Sequence, residues 1–122
     1  MTGITFDTGG LIALDRGDRR VLALLARAAE RGMRVTIPAT ALAQTIRQPA
    51  RQVRLTRLVR QARTDLDGPD ATATDLLLAA TRTSDIVDAH VVVCARRADQ
   101  VVVTSDGGDL RRLDPRVRLL GV

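Results

Sequence analysis

Short apolar runs alternate with helical stretches along the whole of this 122-residue chain, and that alternation restricts the fold more than any other feature. Gly3-Ile4-Thr5-Phe6-Asp7, Arg34-Val35-Thr36-Ile37-Pro38, Thr64-Asp65-Leu66-Asp67, Val101-Val102-Val103-Thr104 and Val117 to Leu120 read as strands. The expected helices cover residues 9–14 after a Thr8 cap, 19–31 after an Asp18 cap, 41–47 from Thr40, 50–62, 71–81, 85–97 after a Ser84 cap, and 109–113. Strands separated by helices pair in parallel, because a parallel connection needs a crossover. The pattern therefore implies an α/β chain, one domain over residues 1–122, with a central parallel sheet of four to five strands.

Asp85 to Arg97 is where local preference and pattern disagree. Val91-Val92-Val93 favours a strand by propensity. The cap, the basic Arg96-Arg97 end and the length favour a helix. A helix puts Asp85 and Asp88, three residues apart, on one face; a strand would point them to opposite faces. Asp7, Asp88 and Asp106 all fall at element ends that a parallel sheet brings to one edge, where open α/β sheets build their sites. Carboxylates gathered beside apolar segments are costly unless something positive pairs with them. A hard divalent cation, which takes oxygen ligands, meets that need. Asp7 also suits a capping role, and Asp85 a first-turn position favoured by the helix dipole.

The chain is 45% hydrophobic but only 1% aromatic, so its core must be aliphatic. No apolar run approaches the ~20 residues of a membrane span, and the first residues carry no charged-then-apolar leader pattern. Cys94 is the only cysteine, which leaves no internal disulfide framework. These features suit a cytoplasmic protein with no membrane association. Net charge is +5, and all nineteen basic residues are arginines. A basic balance suits a polyanionic or acidic partner, or simply solubility. The lack of lysine argues against a phosphoryl-receiver domain, whose acidic strand end needs one nearby. Arg47, Arg51, Arg54, Arg57, Arg60 and Arg63 recur every three or four residues, forming either a solvated face or a surface for an RNA backbone. His90, the only histidine, has no serine or cysteine placed with it for nucleophilic catalysis.

Taken together, the order and spacing of these pieces resemble the PIN-domain ribonucleases, specifically the VapC-type toxins of bacterial type II toxin–antitoxin systems. The resemblance spans nearly the whole chain. It rests on Ile4-Thr5-Phe6-Asp7-Thr8, on Ile37-Pro38-Ala39 leading into the third helix, on Asp88-Ala89, and on Val103-Thr104-Ser105-Asp106 with Asp109. It implies a PIN-like three-layer α/β/α fold and hydrolysis of RNA by an acidic quartet around Mg²⁺ or Mn²⁺. Asp7 resembles the first acid of that quartet, Asp88 the third and Asp106 the fourth, with Asp109 as a metal-binding helper. The implied partners are an RNA substrate, for which the Arg51, Arg54, Arg57 and Arg60 stripe is the candidate surface if it is not simply solvated, a small antitoxin protein, and a second copy in a homodimer. The family's second acid is normally a glutamate on the third helix. Gln44 stands there instead, and no Asp or Glu occurs between Glu30 and Asp65. An amide oxygen can ligate a metal but brings no charge, and Asp85 is a candidate to compensate. Two functions follow from the resemblance. One is a metal-dependent endoribonuclease; the other is a PIN-fold protein of weak or no catalysis that binds RNA or a partner protein. A DNA-binding regulator lacks support, because no helix pair carries a recognition face.

Overall fold

Every residue of β1 (Gly3–Phe6) is buried, as are the last four of β2 (Arg34–Pro38) and the last three of β4 (Val101–Thr104). Strands covered on both faces read as continuous apolar runs, which is how these segments read in the sequence. The computed structural model describes residues 3–61, 63–68 and 85–122. It pairs these strands with β3 (Thr64–Asp67) and β5 (Leu119–Gly121) in a five-stranded, wholly parallel sheet of order β3-β2-β1-β4-β5. The expected α/β fold, with a central parallel sheet of four to five strands, is the fold observed.

The strand order matters for the site. From β1 the chain steps outward through β2 to β3, then returns to β4 on the other side of β1 and steps outward to β5. The direction of winding therefore reverses between β1 and β4. Such a switch point opens a crevice at the carboxyl ends of the two strands. Ile4 lies opposite Val101 and Phe6 opposite Val103, so the register carries Asp7 and the residues after Thr104 to the same edge.

Six helices are described: α1 (Thr8–Asp15), α2 (Arg19–Glu30), α3 (Ala39–Thr45), α4 (Val53–Val59), α5 (Ile86–Ala98) and α6 (Gly108–Leu113). Seven consecutive α5 residues, Ala89 to Ala95, are buried, and the helix packs against β1, β2, β4, α3 and α6. A helix buried all round is apolar all round. Burying each Val stabilises it by roughly 1.5–3 kcal/mol, which outweighs the few tenths that valine costs a helix. That is why the Val91-Val92-Val93 run is helical despite its strand preference.

Several expected boundaries are corrected. Asp7, not Thr8, caps α1, because its Oδ1 accepts from the Gly10 N–H at 2.7 Å while the Thr8 hydroxyl turns to Gln44. α3 starts directly after Pro38 and ends at Thr45, two residues earlier at each end than the 41–47 expected. The single helix expected over 50–62 is broken: Pro49–Arg51 is a 3₁₀ turn, and α4 runs only from Val53 to Val59. The break is Gln52, whose buried amide serves the preceding loop. Its Oε1 accepts from the Arg47 and Gln48 N–H groups, and its Nε2 donates to the Thr45 carbonyl. Asp85 caps α5 through a bond from the Asp88 N–H; Ser84 and the helix expected over 71–81 lie outside the described residues. β5 falls at Leu119–Gly121 rather than 117–120.

Candidate active site

Asp7 leaves the end of β1 as its N–H closes one more ladder bond to the Val103 carbonyl. Its carboxylate is buried, with 6% exposure. The N-terminus of α1 comes close against β4 because residues 9 and 10 are glycines: a methyl group on Gly10 would overlap the Val103 carbonyl, and one on Gly9 would overlap the Ser105 side chain. Across the switch point stands Thr104, a buried residue that sequence reasoning left without a role. Its hydroxyl donates to the Asp7 carboxylate and accepts from the Asp106 N–H at 3.0 Å. One side chain thus holds two of the expected acids in relation to each other. Asp106 itself is exposed, with its Oδ1 accepting from the Gly108 N–H at 3.2 Å.

Asp88 enters from α5, in the first turn after the Asp85 cap. Burial pushes its carboxyl up to about 6, and the charges of Asp85, Asp109 and Asp7 push the same way. Asp7 is also raised, first by burial and then by Asp106, against the hydrogen bonds from Thr104 and Gly10. Asp109 lies in the first turn of α6 and, among the described residues, makes a long, exposed contact of 3.8 Å with Arg112. Five carboxylates, those of Asp7, Asp85, Asp88, Asp106 and Asp109, therefore share one electrostatic neighbourhood. Among the described residues, no arginine forms a salt bridge with Asp7, Asp85, Asp88 or Asp106. Repulsion left uncompensated at a polar crevice fits a hard dication, whose oxygen ligands these would be. The oxygens are not drawn together as a closed cage: no three of these acids bring oxygens within 4.8 Å of one another.

Gln44 lies on the exposed side of α3, where its Oε1 accepts from the Thr8 hydroxyl at 2.8 Å. It is thereby tied to the residue next to Asp7. The arginine series is divided by the break at Gln52. Arg51 faces a cleft that also holds Gln44, Arg57 and Arg60 line a separate hollow, and the Arg54 guanidinium lies over Gly17 in the α1–α2 turn.

A second group of potential ligands lies elsewhere. Among the described residues, Asp67, His90 and Cys94 are the one set of three with donor atoms all within 4.8 Å. They already satisfy one another and their neighbours. The Cys94 thiol, pushed up by burial, donates to Asp67. His90 Nδ1 meets the Thr40 hydroxyl at 2.5 Å, and Nε2 donates to the Gly68 carbonyl at 3.1 Å. This cluster ties the end of β3 to α5, and the His90 ring is 1% exposed.

No protein-family model matches the sequence, and no curated protein matches it. Solved structures do match in shape. VapBC2 from Rickettsia felis, bound to a DNA fragment from its promoter, aligns with a TM-score of 0.70 at 14% identity, covering 98% of each chain. FitAcB from Neisseria gonorrhoeae aligns with a TM-score of 0.64 at 18% identity, over 97% of this chain and 96% of that one. FitAB bound to an IR36 DNA fragment aligns equally well, over 97% and 94%. Similarity at such low identity belongs to the fold, and the fold of this chain is the one these structures share.

Proposed function

We propose that the protein is a metal-dependent endoribonuclease and the toxin of a toxin–antitoxin pair. The observation that supports this reading is that Asp7, at the end of β1 beside the β1–β4 switch point, feels the charges of both Asp106 and Asp88, with no described cationic side chain in a salt bridge to any of the three. The VapBC2 name of a structure with the same fold agrees with the VapC-type resemblance of the sequence. Asp7, Asp88 and Asp106 would hold Mg²⁺ or Mn²⁺, assisted by Asp109. Such an ion supplies positive charge against a phosphodiester and lowers the pKa of water beside it.

The chain's own groups have separate tasks in this proposal. Asp7, fixed by Gly10 and Thr104, is the rigid anchor. Asp88, whose carboxyl burial and the neighbouring acids raise to about 6, would give up its proton as the ion binds, so metal binding should weaken as pH falls below about 6. Asp85 keeps it raised and caps the helix that presents it. Arg51, Arg54, Arg57 and Arg60 supply cationic surface for a polyanion. The proposed partners are RNA, a small antitoxin protein and a second copy of the chain.

Purified protein incubated with RNA and Mg²⁺ or Mn²⁺ tests the activity. Cleavage should require the metal, stop with chelator, and fall by about 100-fold or more in Asp7→Asn. Metal-independent cleavage, or full activity in Asp7→Asn, contradicts the proposal. One observation favours a second reading, a PIN-fold protein that binds RNA without cutting it: Gln44 is neutral and engaged with Thr8 where the family's acid would stand. Under that reading RNA binds and remains intact with either metal.

A further inference from the structure

We infer that the cleft running from Gln44 past Arg16, Arg47 and Arg51 is the track that leads a single-stranded RNA backbone away from the acidic site, and that Gln52 is the residue that holds it open. This inference rests on the ribonuclease reading and deepens it. The cleft encloses about 490 Å³ between α1 and the α3–α4 connection. At one end Gln44 is bonded to Thr8, the neighbour of Asp7. Three arginines line the rest, and among the described residues neither Arg16 nor Arg51 forms an ion pair. Asp15, the one acid on the wall, accepts from the Gln52 amide at 3.3 Å.

The loop that carries Arg47, Gln48 and Arg51 would ordinarily be mobile. Here Gln52 is 7% exposed and pins the loop to its neighbours: its amide oxygen accepts from the loop's Arg47 N–H at 2.9 Å and Gln48 N–H at 3.2 Å, while its amide nitrogen donates to the Thr45 carbonyl at the end of α3 at 3.0 Å and to Asp15 of α1 at 3.3 Å. Burying an amide costs stability unless each polar atom is satisfied, and here the helix is interrupted to satisfy them. The result is a cationic wall held in place before any ligand arrives, as backbone-tracking grooves require. The lack of aromatic residues along the cleft suits phosphate contacts rather than base stacking, so the track should tolerate different sequences. An acidic peptide could use the same charges, but continuity with the acidic site favours the chain that is cut there.

The test measures binding of a short single-stranded RNA to Asp7→Asn protein across a salt series, so that cleavage does not interfere. Arg47→Gln with Arg51→Gln should weaken binding about tenfold and reduce the log–log salt slope by about 1.4, two contacts at ~0.7 each for single strands. Arg116→Gln with Arg118→Gln, which line a separate hollow beside the end of α5, should leave affinity for this short RNA within about twofold. Gln52→Glu, which loses the donors to Thr45 and Asp15, should weaken RNA binding while a thermal melt still shows cooperative folding. Equal loss from both arginine pairs, no loss from the cleft pair, or displacement of the RNA by polyglutamate as effectively as by competitor RNA would each overturn the inference. RNA bound in the cleft by a wild-type protein that never cleaves it would instead refute the nuclease reading and leave the cleft standing.

Discussion

Asp88 is the residue whose chemistry departs furthest from its sequence appearance. A carboxyl that keeps its proton to about 6 when folded, against 3.8 when unfolded, penalises the fold wherever it must ionise. The folded state holds the proton more tightly, so the penalty is absent below about pH 4 and grows as pH rises, until it is complete above about pH 6. Asp7 is raised as well and acts in the same direction. The full difference is roughly 3 kcal/mol, and partial exposure reduces it to on the order of 1–2 kcal/mol. Without metal, the melting temperature should fall by several degrees between pH 4 and pH 7, and Asp88→Asn should remove most of that fall. A melting temperature that rises over the same range would contradict the raised carboxyl. Gln44 belongs at this scale too. Gln44→Glu adds a charge beside the acidic group, so Mn²⁺ affinity and RNA cleavage should rise by about tenfold, while metal-free stability stays level or drops by up to ~1 kcal/mol. Calorimetric titration alongside a cleavage assay checks both; no change in either means that Gln44 is not the quartet position. The acids themselves were legible from sequence because each follows a strand or opens a helix. Thr104 and Gln52 were not, because their roles are hydrogen bonds made across residues distant in the chain or to a loop whose shape the sequence does not display.

Among the elements, α1 and α5 illustrate what periodicity conveys and what packing decides. The caps and ends of α2 followed from Asp18 and Gly32, as local signals should. The helix expected over 50–62 failed because its arginine spacing continues unbroken through Gln52, while the backbone turns there to satisfy a buried amide. α5 was legible only by weighing its cap and basic end against three valines, and its burial supplies the physical reason. α1 offers the sharper experiment. Alanine in place of a helical glycine ordinarily stabilises by about 1 kcal/mol. At Gly10 the added methyl group meets the Val103 backbone carbonyl, which cannot move without disturbing the β1–β4 ladder. Gly10→Ala should therefore destabilise by about 1–3 kcal/mol, seen as a lower urea midpoint with an unchanged m-value. A higher midpoint would mean that α1 does not sit as close to β4 as described.

At the scale of the whole molecule, charge is segregated. The chain carries a net +5, yet five of its acids form one linked electrostatic group around Asp7 and Asp88, while arginines lie on α2, α4 and the clefts beside them. A dication in the acidic region would let a polyanionic substrate held by the arginines approach the carboxylates that would otherwise repel it. The strand order that creates the crevice followed from the alternation of strands and helices only as far as a parallel sheet; the reversal at β1–β4 is a property of the assembled topology. The central claim is that this crevice holds a divalent cation through Asp7, Asp88 and Asp106. Titration of Mn²⁺ followed by electron paramagnetic resonance measures it most directly. Wild-type protein at pH 7.5 should remove Mn²⁺ from the free-ion signal with saturable stoichiometry, Asp7→Asn and Asp88→Asn should each weaken that binding by about tenfold or more, and Cys94→Ser should leave it unchanged. Equal Mn²⁺ binding by wild type and both aspartate variants, or its loss in Cys94→Ser, would contradict the account.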